Sequence, residues 1–132
     1  MPRRLIALLT LALVVPAVAL AATGGTYRGT IDEGGSPVTV KVKNGKLKKF
    51  KASIYASCGL SNFLITVAYP PAHKKGATKK IKNNKFKVVF SGDPSVEDDK
   101  RTVKGRFNGD TVTGSIKVEG PCSASGTYTA KR

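Results

Sequence analysis

Val38-Thr39-Val40-Lys41-Val42-Lys43-Asn44-Gly45-Lys46-Leu47-Lys48-Lys49-Phe50-Lys51-Ala52 alternates between apolar and polar residues and breaks step once. Val38, Val40 and Val42 fall on one face and Thr39, Lys41 and Lys43 on the other, the two-residue period of a half-buried strand. Asn44-Gly45 then offers the two positive φ values that a tight hairpin turn demands. Such a turn sets Val42 opposite Leu47. An unbroken ladder would next set Lys49 opposite Val40 and bury its charge. One extra residue near Lys48-Lys49 instead brings Phe50 opposite Val40 and Ala52 opposite Val38, and the apolar set runs on through Ile54, Ala56 and Cys58. The pattern predicts a β-bulge in a strand from Lys46 to Cys58.

The same period extends in both directions, and no stretch keeps a helical one. Thr26–Ile31 reads as a strand ending at the turn cluster Asp32–Pro37. Asn62–Tyr69 reads as another, stopped by Pro70-Pro71, which cannot continue a central ladder. Lys79–Lys82 and Lys85–Phe90 read as a hairpin around Asn83-Asn84, with Phe86, Val88 and Phe90 inward, and Ser91–Asp99 is an acidic loop. Arg101–Phe107 turns at Asn108-Gly109 into Thr111–Val118, and Gly126–Lys131 is the last strand. Gly105 and Gly114 lie among inward positions and indicate bends or close packing. Phe50, Phe63, Phe86, Phe90, Phe107, Tyr27 and Tyr128 all fall in the inward phase. The expected fold is all-β, an antiparallel meander of about eight strands forming a barrel or a two-sheet sandwich. Closure favours the barrel, since it removes exposed edges.

Residues 1–21 stand apart from this pattern. Pro2-Arg3-Arg4 is a short basic segment, Leu5–Val18 an apolar one, and Ala19-Leu20-Ala21 a small-x-small cleavage signal. The reading is a signal peptide over 1–21 and one secreted β domain over 22–132, with no transmembrane segment in the mature chain. An exported domain with two cysteines, Cys58 and Cys122, is expected to join them in a structural disulfide. Their spacing is not the Cys-x-x-Cys of a redox pair.

Tyr27-x-Gly29, Val38-x-Val40-x-Val42, Leu47-x-x-Phe50, Cys58, Val103-x-Gly105-x-Phe107, Val112-x-Gly114-x-Ile116-x-Val118 and Cys122-x-x-x-Gly126 occur in this order. The set resembles a group of small secreted all-β proteins, common in actinobacteria, whose function is not established. The resemblance implies a single disulfide and an export signal. It implies no activity and no functional residue.

Charge is the informative feature. The chain has 23 Lys+Arg and 8 Asp+Glu, a net +15. Without Arg3 and Arg4 the mature domain is left at +13. Between Glu33 and Asp93 lie 13 lysines and no acid. Lys41, Lys43, Lys46, Lys49 and Lys51 should share one outer face, and Lys79, Lys80, Lys82, Lys85 and Lys87 should cluster about a second hairpin. Like charges across a strand pair cost roughly 0.2–1 kcal/mol each. A face that carries so many suits a polyanion: an anionic cell-wall polymer, an acidic polysaccharide, an anionic membrane surface or, non-specifically, nucleic acid. Specific base reading is not expected, because Arg and outward aromatics are few and only Tyr55 shares a face with Lys49 and Lys51.

Catalytic and metal-binding patterns are missing from the sequence. His73 has no carboxylate close in sequence to orient it. Asp93, Glu97, Asp98 and Asp99 lack the alternation of a calcium loop and read as a solvated loop. No nucleophile motif surrounds Ser57 or Ser61. The expectation is a binding module rather than an enzyme, with no cofactor and no metal. The alternatives are a carrier holding a small ligand inside the barrel and a structural secreted protein whose lysines only keep it soluble.

Overall fold

The computed structural model describes residues 22–132, so the signal peptide expected over 1–21 lies outside the described residues. Nine strands follow in chain order: β1 (Gly25–Ile31), β2 (Pro37–Lys43), β3 (Lys46–Cys58), β4 (Ser61–Tyr69), β5 (Lys79–Lys80), β6 (Lys85–Phe90), β7 (Lys100–Asn108), β8 (Thr111–Glu119) and β9 (Cys122–Lys131). One 3-10 turn, Ala72–Lys74, lies between β4 and β5, and no α-helix occurs among the described residues.

The β2–β3 hairpin follows its sequence pattern. Asn44 and Gly45 have φ of 53° and 70°. Val42 stands opposite Leu47, Lys41 opposite Lys49, Val40 opposite Phe50 and Val38 opposite Ala52, which leaves Lys48 as the unpaired bulge residue. Both Lys48 and Lys49 reach solvent, and Leu47, Phe50, Ala52, Ile54 and Ala56 face the core.

All ladders are antiparallel, in the order β4-β3-β2-β1-β9-β8-β7-β6. One cross-link closes part of this path into a ring, and a second ties the short β5 to β3. Ser57 and Cys58 at the end of β3 pair with Ser123 and Cys122 of β9, so β3, β2, β1 and β9 form a ring. Lys46 and Leu47 at the start of β3 pair with Lys80 and Lys79 of β5. From β5 the chain enters β6 through a bridge between Lys82 and Lys85, which draws the other strands back to β3. The Cys58–Cys122 disulfide fastens the first closure, with Cα atoms 4.2 Å apart.

The inward faces meet in one apolar core that includes Tyr27, Phe50, Phe86, Phe107 and Tyr128. Phe107 lies 5.3 Å from Tyr27 and 5.9 Å from Phe86, and Phe50 lies 5.3 Å from Tyr128. Gly105 and Gly114 face each other across β7 and β8. A Cβ on Gly105 would strike the Phe86 ring, and one on Gly114 the Lys104 carbonyl and the Tyr128 hydroxyl. The two glycines therefore make the room that these rings occupy, and the Tyr128 hydroxyl donates to the Lys104 carbonyl at 2.8 Å.

Four expectations need correction. Lys79–Lys82 and Lys85–Phe90 do not form a hairpin ladder, because β5 is only Lys79–Lys80 and is drawn against β3, leaving a single bridge between Lys82 and Lys85. Phe63 is in the inward phase but is 54% exposed. It stands on β4, the terminal strand, which pairs with β3 on one side and has no strand on the other among the described residues. The β7–β8 turn is Gly109-Asp110 instead of Asn108-Gly109, because Asn108 still pairs with Thr111. And β9 begins at Cys122 rather than Gly126, since its first residues are held by β3 and β8 together.

Candidate anion-binding groove

The strand directions sort the charges between the two ends of the barrel. The Asn44-Gly45, Asn83-Asn84 and Gly109-Asp110 turns gather at one end, tied by Ile81 N–H to the Gly45 carbonyl (3.0 Å) and Phe107 N–H to the Asn84 carbonyl (2.8 Å). The disulfide, the Asp32–Ser36 turn, the Gly59-Leu60 turn and the acidic loop lie at the other. Seven of the eight acids, Asp32, Glu33, Asp93, Glu97, Asp98, Asp99 and Glu119, stand at the disulfide end. Asp110, the eighth, is paired with Arg132 at 3.0 Å.

Five of these seven acids, Asp32, Glu33, Asp93, Asp99 and Glu119, are held locally. Asp99 accepts from the backbone N–H groups of Gly92 (2.8 Å) and Asp93 (3.1 Å), so it braces the loop instead of being solvated. Glu119 accepts from Lys117 at 3.0 Å, and that hydrogen bond, with the charge of Lys117, holds its carboxyl below the usual range. Hydrogen bonds from Ser95 lower Asp93 in the same sense, and the fold brings the charge of His73 to bear on it as a smaller contribution.

The lysine end has no such partners. All ten lysines named from the sequence are exposed. Among the described residues none of the ten has a carboxylate within ion-pair distance. The fold also brings the two sets together, because Lys46 of the first stands opposite Lys80 of the second. Lys41 faces Lys49, and Lys43 faces Lys46.

The second set lines an open groove of about 840 Å3. Lys79, Lys80 and Lys82 form one wall, Lys85 and Lys87 project from β6, and Phe86, Gly105 and Gly114 contribute the floor. Two cations that the sequence reading had not singled out complete it. Arg106 stands opposite Lys85 and Lys104 opposite Lys87. Their signal was present in the outward phase of Val103-x-Gly105-x-Phe107, but the pairing of β7 with β6 had to be known before it could be read. Two smaller grooves continue the cationic belt, one lined by Lys41, Lys43 and Lys48 and the other by Lys48, Lys49 and Lys75.

Chemically, the belt supplies flexible ammonium groups around one guanidinium, over an apolar floor. It can neutralise a row of anionic groups without fixing their geometry. His73 is exposed on the 3-10 turn, and no group of three His, Cys, Asp or Glu side chains close enough to hold a metal occurs among the described residues. No helix there is long and apolar enough to cross a membrane. No family model, curated protein or solved structure matches the chain.

Proposed function

We propose that this protein is an exported binding module that holds polyanions against the lysine end of its barrel. An anionic cell-wall polymer or acidic polysaccharide is the ligand class, and nucleic acid binds only non-specifically. One observation carries the reading: Lys85 against Arg106, Lys87 against Lys104, and Lys46 against Lys80 are like-charge cross-strand pairs with no acid to offset them. Each costs folding stability, and an anionic ligand laid along the belt removes that cost.

The disulfide supports an extracellular or cell-envelope location. The buried rings of Tyr27, Phe50, Phe86, Phe107 and Tyr128 pack against one another in the core, which supports an outer-surface ligand over an interior one. Binding, rather than catalysis, is the activity proposed.

The test is retention of the oxidised protein on immobilised heparin and on poly(glycerol phosphate), with neutral dextran as control. Changing Lys85, Lys87, Lys104 and Arg106 to Gln should release the protein from both anionic supports at markedly lower salt. Equal retention of that variant, or comparable retention on dextran, would overturn the proposal.

A further inference from the structure

The hairpin of β3 and β4 is unlike the rest of the surface. From Ala52 to Ala72 the chain carries no charge. Tyr55, Leu60, Phe63 and Leu64 are its exposed large apolar residues. Tyr55 and Leu64 form a cross-strand pair on the outer face, and Phe63 with Ala56 lies on the inner one. Both faces of the hairpin end are therefore apolar.

β4 also has a free edge, since β3 is its only strand neighbour among the described residues. Which residues face that edge follows from the turn. Cys58 and Ser61 close the two-residue turn Gly59-Leu60, so they form a hydrogen-bonded pair, and pairs alternate from there. Asn62, Leu64 and Thr66 then turn their N–H and C=O groups away from β3. The Thr66 carbonyl bears this out, because it accepts from Arg101 of β7 at 2.8 Å. Asn62 and Leu64 present the same groups with no protein partner among the described residues. The usual protections of a strand edge, a Lys, a Pro or a covering loop, are missing from this stretch.

We infer that the free edge of β4 is the contact surface for a second copy of this chain, joined antiparallel about a two-fold axis at Phe63. Asn62 of one copy then pairs with Leu64 of the other, and the two Phe63 rings stand opposite each other. Charge selects this occupant and this direction. A second copy presents the same uncharged hairpin and so brings no lysine to the contact. Antiparallel docking about Phe63 overlaps the two copies at their disulfide ends and points their lysine ends in opposite directions, so the two cationic belts stay apart. The arrangement is isologous and closes as a dimer. It is independent of what the lysine belt binds.

Sedimentation velocity of the oxidised protein tests it. At ~100 µM, a dimer with a Kd of about 10 µM would hold most of the chain. Leu64→Lys should return the protein to monomer, and its melting temperature should match wild type when both are measured at ~1 µM, well below the dimer Kd. Asn62→Pro removes only the donor that faces the free edge, and should do the same. The groove variant, with Gln at 85, 87, 104 and 106, should remain dimeric. A wild-type monomer at this concentration would overturn the inference, as would a Leu64→Lys variant that dimerises as well as wild type. Capture of monomers by zwitterionic vesicles through Leu60 and Phe63 would overturn it too, and would assign the hairpin to a lipid surface.

Discussion

Tyr128 lies beneath the Gly105–Gly114 pair with its hydroxyl on the Lys104 carbonyl, and burial pushes its phenol far above the usual tyrosine range. Burial raises Tyr27 and Tyr69 in the same direction. A group whose folded pKa is raised stabilises fully below its unfolded value, about 10 for tyrosine, and that stability drains away as pH rises towards the folded value. Thermal melting should therefore weaken above about pH 10, and Tyr128→Phe should make the alkaline decline shallower than in wild type. An equally steep decline would remove Tyr128 as its cause. Gly105→Ala drives a Cβ into the Phe86 ring, and overpacking of this kind costs about 1–3 kcal/mol, to be read as a lower urea midpoint. These inward positions were legible from alternation alone, as Val103, Phe107 and Tyr128 illustrate. Phe63 was not, because phase gives the side of a strand and says nothing about whether another element covers it.

Within the β2–β3 hairpin, Lys48 is the one residue whose removal keeps every inward side chain in place. Deleting it should leave a folded protein by circular dichroism, with Leu47 and Phe50 still opposite Val42 and Val40. Deleting Lys51 instead turns Ala52, Ile54 and Ala56 towards solvent, and that chain should be unfolded and readily digested by protease. The disulfide joins residues 64 apart in sequence, and chain entropy gives a loop of that size roughly 4 kcal/mol. Cys58→Ala with Cys122→Ala should shift the urea midpoint downward, with a steeper transition because the uncross-linked chain exposes more surface on unfolding. Hairpin elements were legible because both partners lie in one short stretch of sequence. The first residues of β9 were not, since Cys122 and Ser123 owe their strand conformation to β3, more than 60 residues away. The two-residue β5 depends in the same way on Lys46 and Leu47.

Across the whole molecule, charge is separated along the barrel axis, with unpaired lysines at one end and seven acids at the other, five of them held by local hydrogen bonds or ion pairs. Half of this was legible, since the run from Gly34 to Gly92 holds 13 lysines and no acid. Its joining into one belt was not, because it rests on β5 lying against the start of β3, and the groove needed Lys104 and Arg106 from a distant hairpin. A polyanion on this belt displaces condensed counterions, so the logarithm of affinity should fall linearly with the logarithm of salt, by about 0.9 per neutralised phosphate on duplex DNA. The most direct measurement is therefore the affinity of the oxidised protein for duplex DNA and for heparin between ~50 and ~200 mM salt, alongside the variant with Gln at 85, 87, 104 and 106. The account predicts a DNA slope of about −3 or steeper, made shallower in the variant, with heparin following the same order. No binding at ~50 mM salt, or one slope shared by both proteins, would contradict it.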